Sequence, residues 1–298
     1  MNNPLLHDDF SAFIARYLPG KIQKLTVNAG LSCPNRDGKK GRGGCTYCNN
    51  QSFSPGFSAT PEPVSIQLRK SREFFSKKYP AMRYLAYFQS YTATNSSTPF
   101  LMEMFREALM EEDVVGLIIG TRPDCMPDDL LEELRILSRS AFVMIELGAE
   151  SAHDCTLENV NRCHTWADTA DAVRRVHEAG IPVGLHLIMG LPGESEEDML
   201  ATIDEVNRLP VDIVKCHQLQ LIRGTRLASQ VETGEAAVIR WDVEGYIDLC
   251  CRIIHRLRAD IAIERFVSQS PESLLIYPRW GLKNYQFMNL LRNRLQQN

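Results

Sequence analysis

The sequence predicts an α/β protein: an open, partial (β/α)6 barrel of TIM type with a small C-terminal α+β cap. Three observations carry this. Strand-like and helix-like runs alternate six times between residues 22 and 221, the pattern of a parallel sheet or barrel. Six units fall short of the eight that close a full barrel. Polar residues collect just after the strands, where βα loops build the active face of such folds. The chain divides into an N-terminal extension (1–20), the barrel (21–225) and the cap (226–298).

Each element has its own signal. Phe10, Phe13, Ile14 and Tyr17 lie at helical spacing and predict a short packed helix ending near Pro19-Gly20. Strand one is 22–27. A helix follows over 62–79, with Leu68 and Phe75 inward, Arg and Lys outward, and Pro80 as its stop. Strand two is 83–90, followed by a polar turn at 91–95 and a helix that starts at Thr98-Pro99 and turns Leu101, Met104, Phe105 and Ala108 inward. Strand three, 114–120, runs into Thr-Arg-Pro-Asp at 121–124, and Leu130, Leu134 and Leu137 mark the next helix. Strand four, 141–147, ends in Glu-Leu-Gly-Ala-Glu-Ser at 146–151. Thr165 caps a helix closed by Gly180, and strand five is 181–189. Ser195 and Asp198 form a capping-box start for another helix, and strand six is 212–221. The cap holds a helix around Tyr246 to Leu257, an extra strand at 261–267 and a terminal helix with Phe287, Leu291 and Leu295.

The 298 residues suffice for one large domain, with apolar and charged fractions ordinary for a globular protein. Nine cysteines without a secretory pattern point to a reducing cytoplasm rather than a disulfide framework. No apolar run reaches the length that spans a bilayer, so no membrane partner is expected. A net charge of −4 makes the distribution of charge more informative than its total.

The chemistry is expected in residues 33–48, a glycine-rich basic loop reading C-P-N-R-D-G-K-K-G-R-G-G-C-T-Y-C. Cys33, Cys45 and Cys48 could fill three corners of a four-iron cluster and leave one iron open to an outside ligand. Structural zinc wants four N or S ligands, and this chain has a single C-x-x-C with no histidine between His7 and His153. A thioredoxin-like pair would leave Cys33 unexplained. Three buried, unligated cysteines fit poorly in a loop of Gly, Lys, Arg and Asn.

The ending Cys45-Thr46-Tyr47-Cys48 resembles the loop of the radical S-adenosylmethionine (SAM) superfamily, although eleven residues between Cys33 and Cys45 exceed its commonest spacing. The long spacing, with C-P-N-R-D-G before it and G-G-C-T-Y-C-N-N after, is similar to that of YhcC/YtqA-type proteins, relatives of the radical SAM domain in the Elongator catalytic subunit. The resemblance implies a [4Fe-4S] cluster on Cys33, Cys45 and Cys48 and SAM as the outside ligand. It further implies reductive SAM cleavage to a 5′-deoxyadenosyl radical that takes a hydrogen atom from the substrate, with the electron from a donor such as flavodoxin or ferredoxin.

By the same resemblance Tyr47 would contact the adenine, and Gln89, Ser90 and Thr92 stand where the family has the Gly-rich turn that receives the methionine amino group. Glu150 matches the ribose position and Arg162, twelve residues on, the partner of the methionine carboxylate, a group Arg grips with two parallel hydrogen bonds. His186 would lie beside the ribose. Read singly, Glu150 and Arg162 also fit an ordinary ion pair, and His186 a hydrogen-bonded core histidine. Arg122 and Asp124 read as substrate-facing or cluster-supporting, or equally as a structural turn; His217 and Gln220 project into the same mouth. Gly-Leu-Pro-Gly-Glu at 190–194 is a weak signal, and the six other cysteines read as structural.

Basic residues cluster at Arg36–Arg42, at Arg69–Arg83 and, beyond Glu272, at Arg279, Lys283, Arg292 and Arg294 among Tyr277, Trp280, Tyr285 and Phe287. Cations interleaved with aromatics near an active mouth suit RNA, while a solvated helix face is the plain reading of 69–78. With the Elongator relationship, the expectation is an enzyme acting on a uridine C5 side chain of tRNA, without acetyl transfer. A radical SAM enzyme for a small metabolite or peptide, and a metal-binding interaction module, are the alternatives.

Overall fold

The computed structural model describes residues 7–52, 62–77 and 81–297. Seven strands form one parallel sheet: β1 (Ile22–Val27), β2 (Arg83–Phe88), β3 (Val114–Thr121), β4 (Phe142–Glu150), β5 (Val183–Met189), β6 (Ile213–Gln218) and, at its far edge, β8 (Ala262–Arg265). The short β7 (Leu221–Ile222) pairs antiparallel with β9 (Leu275–Tyr277). The helices are α1 (Phe10–Ile14), α2 (Val64–Ser76), α3 (Thr98–Leu109), α4 (Asp128–Leu137), α5 (Asp154–Asn159), α6 (Trp166–Glu178), α7 (Glu196–Asn207), α8 (Arg226–Thr233), α9 (Val243–Arg256) and α10 (Asn284–Gln297).

The sheet curls into a half-barrel. Six strand spacings of about 4.8 Å would hold the edges of a flat sheet roughly 29 Å apart. Yet Lys24 on β1 reaches Glu264 on β8 at 2.6 Å across the inside. Strands are buried on both faces, as parallel sheets require. Leu25, Val27, Leu117, Ile119, Ile145, Leu147, Val214 and Ile263 pack outward against the helices. Leu85, Tyr87, Ile118, Met144, Ile213 and Ala262 point inward at the lower end, where Phe13 and Ile14 of α1 plug the barrel. The N-terminal segment is tied along β8, with the Ile263 amide donating to the Asp8 carbonyl (2.8 Å).

The caps read from sequence are present. Thr165 and Asp168 form a capping box at α6, and Ser195 and Asp198 one at α7. The helix expected over 62–79 spans Val64–Ser76, and Lys78 and Pro80 lie outside the described residues. Strands two and six are shorter than expected, and both differences bear on the site. β2 ends at Phe88, freeing Gln89 and Ser90 from the ladder. β6 ends at Gln218; the chain turns, and Leu221-Ile222 pair with the cap instead. The extra strand of the cap joins the main sheet beside β6 as its seventh strand.

Candidate active site

The cysteine loop leaves β1 and folds back on itself. The Arg36 and Asp37 amides donate to the Cys33 carbonyl (2.7 and 3.0 Å), and the Cys48 amide donates to that of Cys45 (3.1 Å). Gly43 and Gly44, both at positive φ, bring the chain into Cys45; a Cβ on Gly44 would meet the Arg36 side chain at 2.8 Å. Asn35 is fully buried and donates to the Cys45 sulfur (3.6 Å) and the Asn161 carbonyl (2.5 Å). Arg36 donates to the Cys48 carbonyl (2.9 Å). Burial pushes the Cys48 thiol up to about 11, with the nearby Cys45 and Cys33 adding to the rise. Coordination to iron reverses that preference, because a metal-bound thiol is deprotonated.

All three cysteines line one cavity of about 510 Å³ at the C-terminal ends of the strands. The same cavity brings together Tyr47, Gln89, Thr92, Arg122, Glu150, Arg162, His186, His217 and Gln220. Ser90 is buried and does not line it. The remaining expected position, Asp124, is held off the wall by a two-pronged pair with Arg122 (2.9 and 3.0 Å) and by Lys40 (3.0 Å). That pairing holds the Asp124 carboxyl below its usual range despite burial. Gln220 donates to the Ser268 carbonyl (3.0 Å) and accepts from the Ser270 hydroxyl (2.6 Å).

Glu150 and Arg162 do form an ion pair (3.2 Å), but on unusual backbone. Glu150 sits at φ 69° where the β4–β5 register shifts, and Asn161 and Cys163, flanking Arg162, also have positive φ. Such conformations cost of order 1–3 kcal/mol each and persist where surrounding structure enforces them. Arg162 is held from four sides. Its Nη2 donates to the Gly148 carbonyl (2.5 Å), Nε to His164 Nε2 (3.0 Å) and Nη1 to the Cys45 sulfur (3.6 Å), alongside the Glu150 pair. Gly148 is required there, since a Cβ would stand 2.5 Å from Nη2. Burial opposes the guanidinium charge, but Tyr47, Glu150 and Cys45 outweigh it and keep Arg162 protonated. Burial next to that cation drives His164 down to about 3, so its neutral ring serves as the acceptor.

Several buried polar atoms have no hydrogen-bond partner: Tyr47 Oη, Ser90 Oγ, Thr92 Oγ1 and Arg122 Nη1. Leaving such atoms unpaired costs about 1–3 kcal/mol each, so a polar ligand is the natural occupant. Tyr47 also packs with Val160, Leu191, Leu219 and Ile188, giving one apolar wall among polar ones. Among the described residues no three His, Cys, Asp or Glu side chains converge on a single ion. Cluster thiolates each bind a separate iron and need not converge on one point. Three cysteines with a proton-donating surround, facing unpaired polar atoms and an apolar wall, fit a cluster with a polar nucleoside ligand.

Deeper in the barrel lies a charge layer that sequence reasoning missed. Glu146 accepts from Lys215 (2.6 Å), His186 (2.8 Å) and Lys24 (3.2 Å), and Glu264 from Lys24 (2.6 Å) and Lys215 (3.3 Å). Lys215 also donates to Tyr87 Oη (3.1 Å). Burial opposes the Glu146 charge, but Lys215 and Lys24 hold its carboxyl well below the usual range. Burial lowers Lys215 to about 8, whereas Glu146 and Glu264 overcome burial at Lys24 and raise it. His186, expected beside a ribose, is therefore also a partner of Glu146, and burial with Lys215 nearby lowers its pKa. Gly-Leu-Pro-Gly-Glu has a structural part: the buried Glu194 accepts from the Ser151 hydroxyl (2.5 Å), tying the turn to the end of β4. Of the cysteines read as structural, Cys216, Cys250 and Cys251 are buried; Cys163 is exposed and donates to Asn35 Oδ1 (3.2 Å), bracing the loop.

The half-barrel and its three-cysteine mouth define the class of fold found in radical SAM proteins. This chain belongs to the radical SAM superfamily, whose profile matches residues 33–206, and the Radical_SAM C-terminal domain matches 211–297. It is 35% identical over 272 residues to Protein YhcC of Escherichia coli strain K12, covering 91% of this chain and 86% of that one. To YtqA of Bacillus subtilis it is 31% identical, covering 93% and 85%. A shorter match, 31% over 128 residues, is to the tRNA uridine(34) acetyltransferase of Methanocaldococcus jannaschii, covering 42% of this chain and 23% of that one. Among solved structures, Elp3 of Methanocaldococcus infernus superposes with a TM-score of 0.71 at 18% identity, covering 94% of this chain and 64% of that one. The cofactors of the family are a [4Fe-4S] cluster and SAM.

Proposed function

We propose that this chain is a cytoplasmic radical SAM enzyme that modifies tRNA, acting on the C5 side chain of the wobble uridine. Cys33, Cys45 and Cys48 would hold the cluster. Bound together, cluster and SAM supply a one-electron reductive cleavage that delivers a 5′-deoxyadenosyl radical, with the electron from a flavodoxin- or ferredoxin-class donor. The rest is positioning by the chain. Arg162 would grip the methionine carboxylate, and its N–H groups on Gly148, His164 and Cys45 fix the direction of that grip. Ser90 and Thr92, with unpaired hydroxyls, and Gln89 would take the amino group; Glu150 and His186 would face the ribose, and Tyr47 with its apolar neighbours the adenine. N–H donors on the Cys45 sulfur would favour the reduced cluster. Arg122, Asp124, His217 and Gln220 would face substrate.

One observation carries the RNA reading. Cations at the mouth have no carboxylate partners among the described residues: Arg223 and Arg226 beside the cluster loop, and Arg279 and Lys283 on an adjoining cavity of about 530 Å³. The Asn49 side chain donates to the Arg223 carbonyl (3.3 Å) and the Leu227 amide to the Thr46 carbonyl (2.8 Å), which holds this segment against the loop. Unneutralised cations around a reaction mouth suit a phosphate backbone. The partial likeness to a protein named for uridine 34 of tRNA supports the same substrate.

The deciding experiment compares modified nucleosides in tRNA from wild-type and deletion strains, and then adds reconstituted protein, SAM and reductant to deletion-strain tRNA. A C5-substituted uridine altered in the deletion strain and restored in vitro is expected. Unchanged tRNA together with SAM cleavage driven by a metabolite or peptide would replace this substrate. In the Cys33→Ala, Cys45→Ala, Cys48→Ala triple variant, the brown absorbance of the anaerobically reconstituted protein should vanish.

A further inference from the structure

The cavity extends beyond the residues assigned to the cluster and the nucleoside. Its inner wall is formed by Lys24, Tyr87, Glu146, His186, His217 and Arg265. In and behind this wall Lys24 and Lys215 are neutralised by Glu146 and Glu264, two cations against two carboxylates. Arg265, at the C-terminal end of β8 and in register with Lys215, is a third cation, and among the described residues no carboxylate pairs with it. Its Nε is buried without an acceptor, and none of its N–H groups has one among the described residues. Beside it, His217 uses Nδ1 toward the Ser268 hydroxyl, and Nε2 has no partner among the described residues. A guanidinium offers five donors in a planar fork that matches an oxyanion, and leaving it unpaired in a recess is costly.

We propose that Arg265 is a specificity residue that binds one oxyanion of the substrate, a carboxylate or a phosphate, on the inner wall of the active cavity. The surplus positive charge of this wall is then completed by the ligand rather than by the protein. Arg162, next to the cluster loop, remains the group for the carboxylate of SAM, which leaves Arg265 on the inner wall for an anion of the substrate. His217 supplies a second contact in the tautomer whose Nδ1 accepts from the Ser268 hydroxyl: burial and the Arg265 charge hold its pKa well below the ordinary value, so the ring is neutral and Nε2–H is the donor offered to the anion. The inference deepens the active-site reading and rests on it, but not on the substrate being tRNA.

The test uses reconstituted holoprotein with SAM bound, titrated by calorimetry with inorganic phosphate and, separately, with acetate. Wild type is expected to saturate with at least one of them. Arg265→Gln should lose at least ten-fold in that affinity and Arg265→Lys should keep it within about three-fold, while SAM affinity measured in parallel stays within two-fold for both. Saturation by acetate alone assigns a carboxylate to the substrate, and by phosphate alone a phosphate. Wild type binding neither anion, or Arg265→Gln binding them unchanged with its circular dichroism intact, overturns the proposal. Loss of SAM affinity in step with the anion moves Arg265 into the cofactor site and overturns it equally. Anion binding that survives when the nucleoside comparison excludes tRNA leaves Arg265 standing and the RNA substrate refuted.

Discussion

Along α2, Arg69, Lys70, Arg72 and Lys77 each meet a carboxylate, from Glu111, Glu62, Glu112 and Glu73. Around the mouth, Arg42, Arg223, Arg226, Arg279 and Lys283 meet none among the described residues. Both regions are dense in Arg and Lys in the sequence, yet only one keeps an outward positive field. A pair such as Arg69 with Glu111, two bonds of 2.8 Å, presents little net charge to a polyanion. The mouth cations have no such neutralising partner among the described residues. The terminal cluster is itself divided by this criterion: Arg294 pairs with Glu244 and Asp248 of α9, while among the described residues the Arg279 side chain bonds only the Leu275 carbonyl. The aromatics beside it are divided too. Phe287 is buried and Trp280 stacks on it, so Tyr285 is the ring of that group left exposed.

The sharpest way to break this comparison is to reverse the mouth. Arg223→Glu, Arg226→Glu, Arg279→Glu and Lys283→Glu together should weaken tRNA binding by about 100-fold or more at low salt and flatten the log K against log salt slope by up to about four. Filter binding at several salt concentrations measures both, and an unchanged slope would remove RNA from this face. Inside the mouth, Arg162→Lys keeps the charge but loses the planar fork. SAM affinity of the reconstituted protein should fall about ten-fold, and equal affinity would show that the geometry around Arg162 is only structural.

His164 sharpens the contrast in pH. With a folded pKa of about 3 against an ordinary 6.5, the unfolded chain binds this proton first as pH falls, so stability is lost from pH 6.5 downward. Between pH 6.5 and 5 the loss should be about 2 kcal/mol, and His164→Asn, whose amide oxygen can still accept from Arg162, should not show it in urea unfolding. The smallest effect belongs to α2. Arg69→Glu with Arg72→Glu should leave tRNA affinity within two-fold and move the thermal midpoint by less than about 3 °C, since exposed ion pairs contribute little. A large loss of tRNA binding there would show that the paired face is also used.

Much of the candidate site was legible where its signal is local. The cysteine loop announces itself by spacing and glycine content, and Glu150 and Arg162 by their place after strand four. Both capping boxes lie within four residues of chain, so their geometry follows from those residues alone. The strand ends were less legible. Gln89 and Ser90 continue an apolar run in sequence, but the register beyond Phe88 has no partner that keeps them in the ladder. Leu221 reads as the end of strand six until Tyr277, 56 positions later, takes it as an antiparallel partner.

Alone, the amino-acid order determined the alternation of strands and helices, the thiol-bearing loop and the helix starts, because each depends on hydrogen bonds and steric limits within a few residues. Tertiary structure decided which charges are spent and which are kept. Glu146 and Lys215 each stand between apolar neighbours, and Lys24 and Glu264 each have one, as on strands with one wet face. Only the curling of the sheet turns that face inward and sets Lys24 against Glu264, 240 residues away. Whether a cation is neutralised depends on what lies within about 4 Å of it, and chain order does not carry that distance.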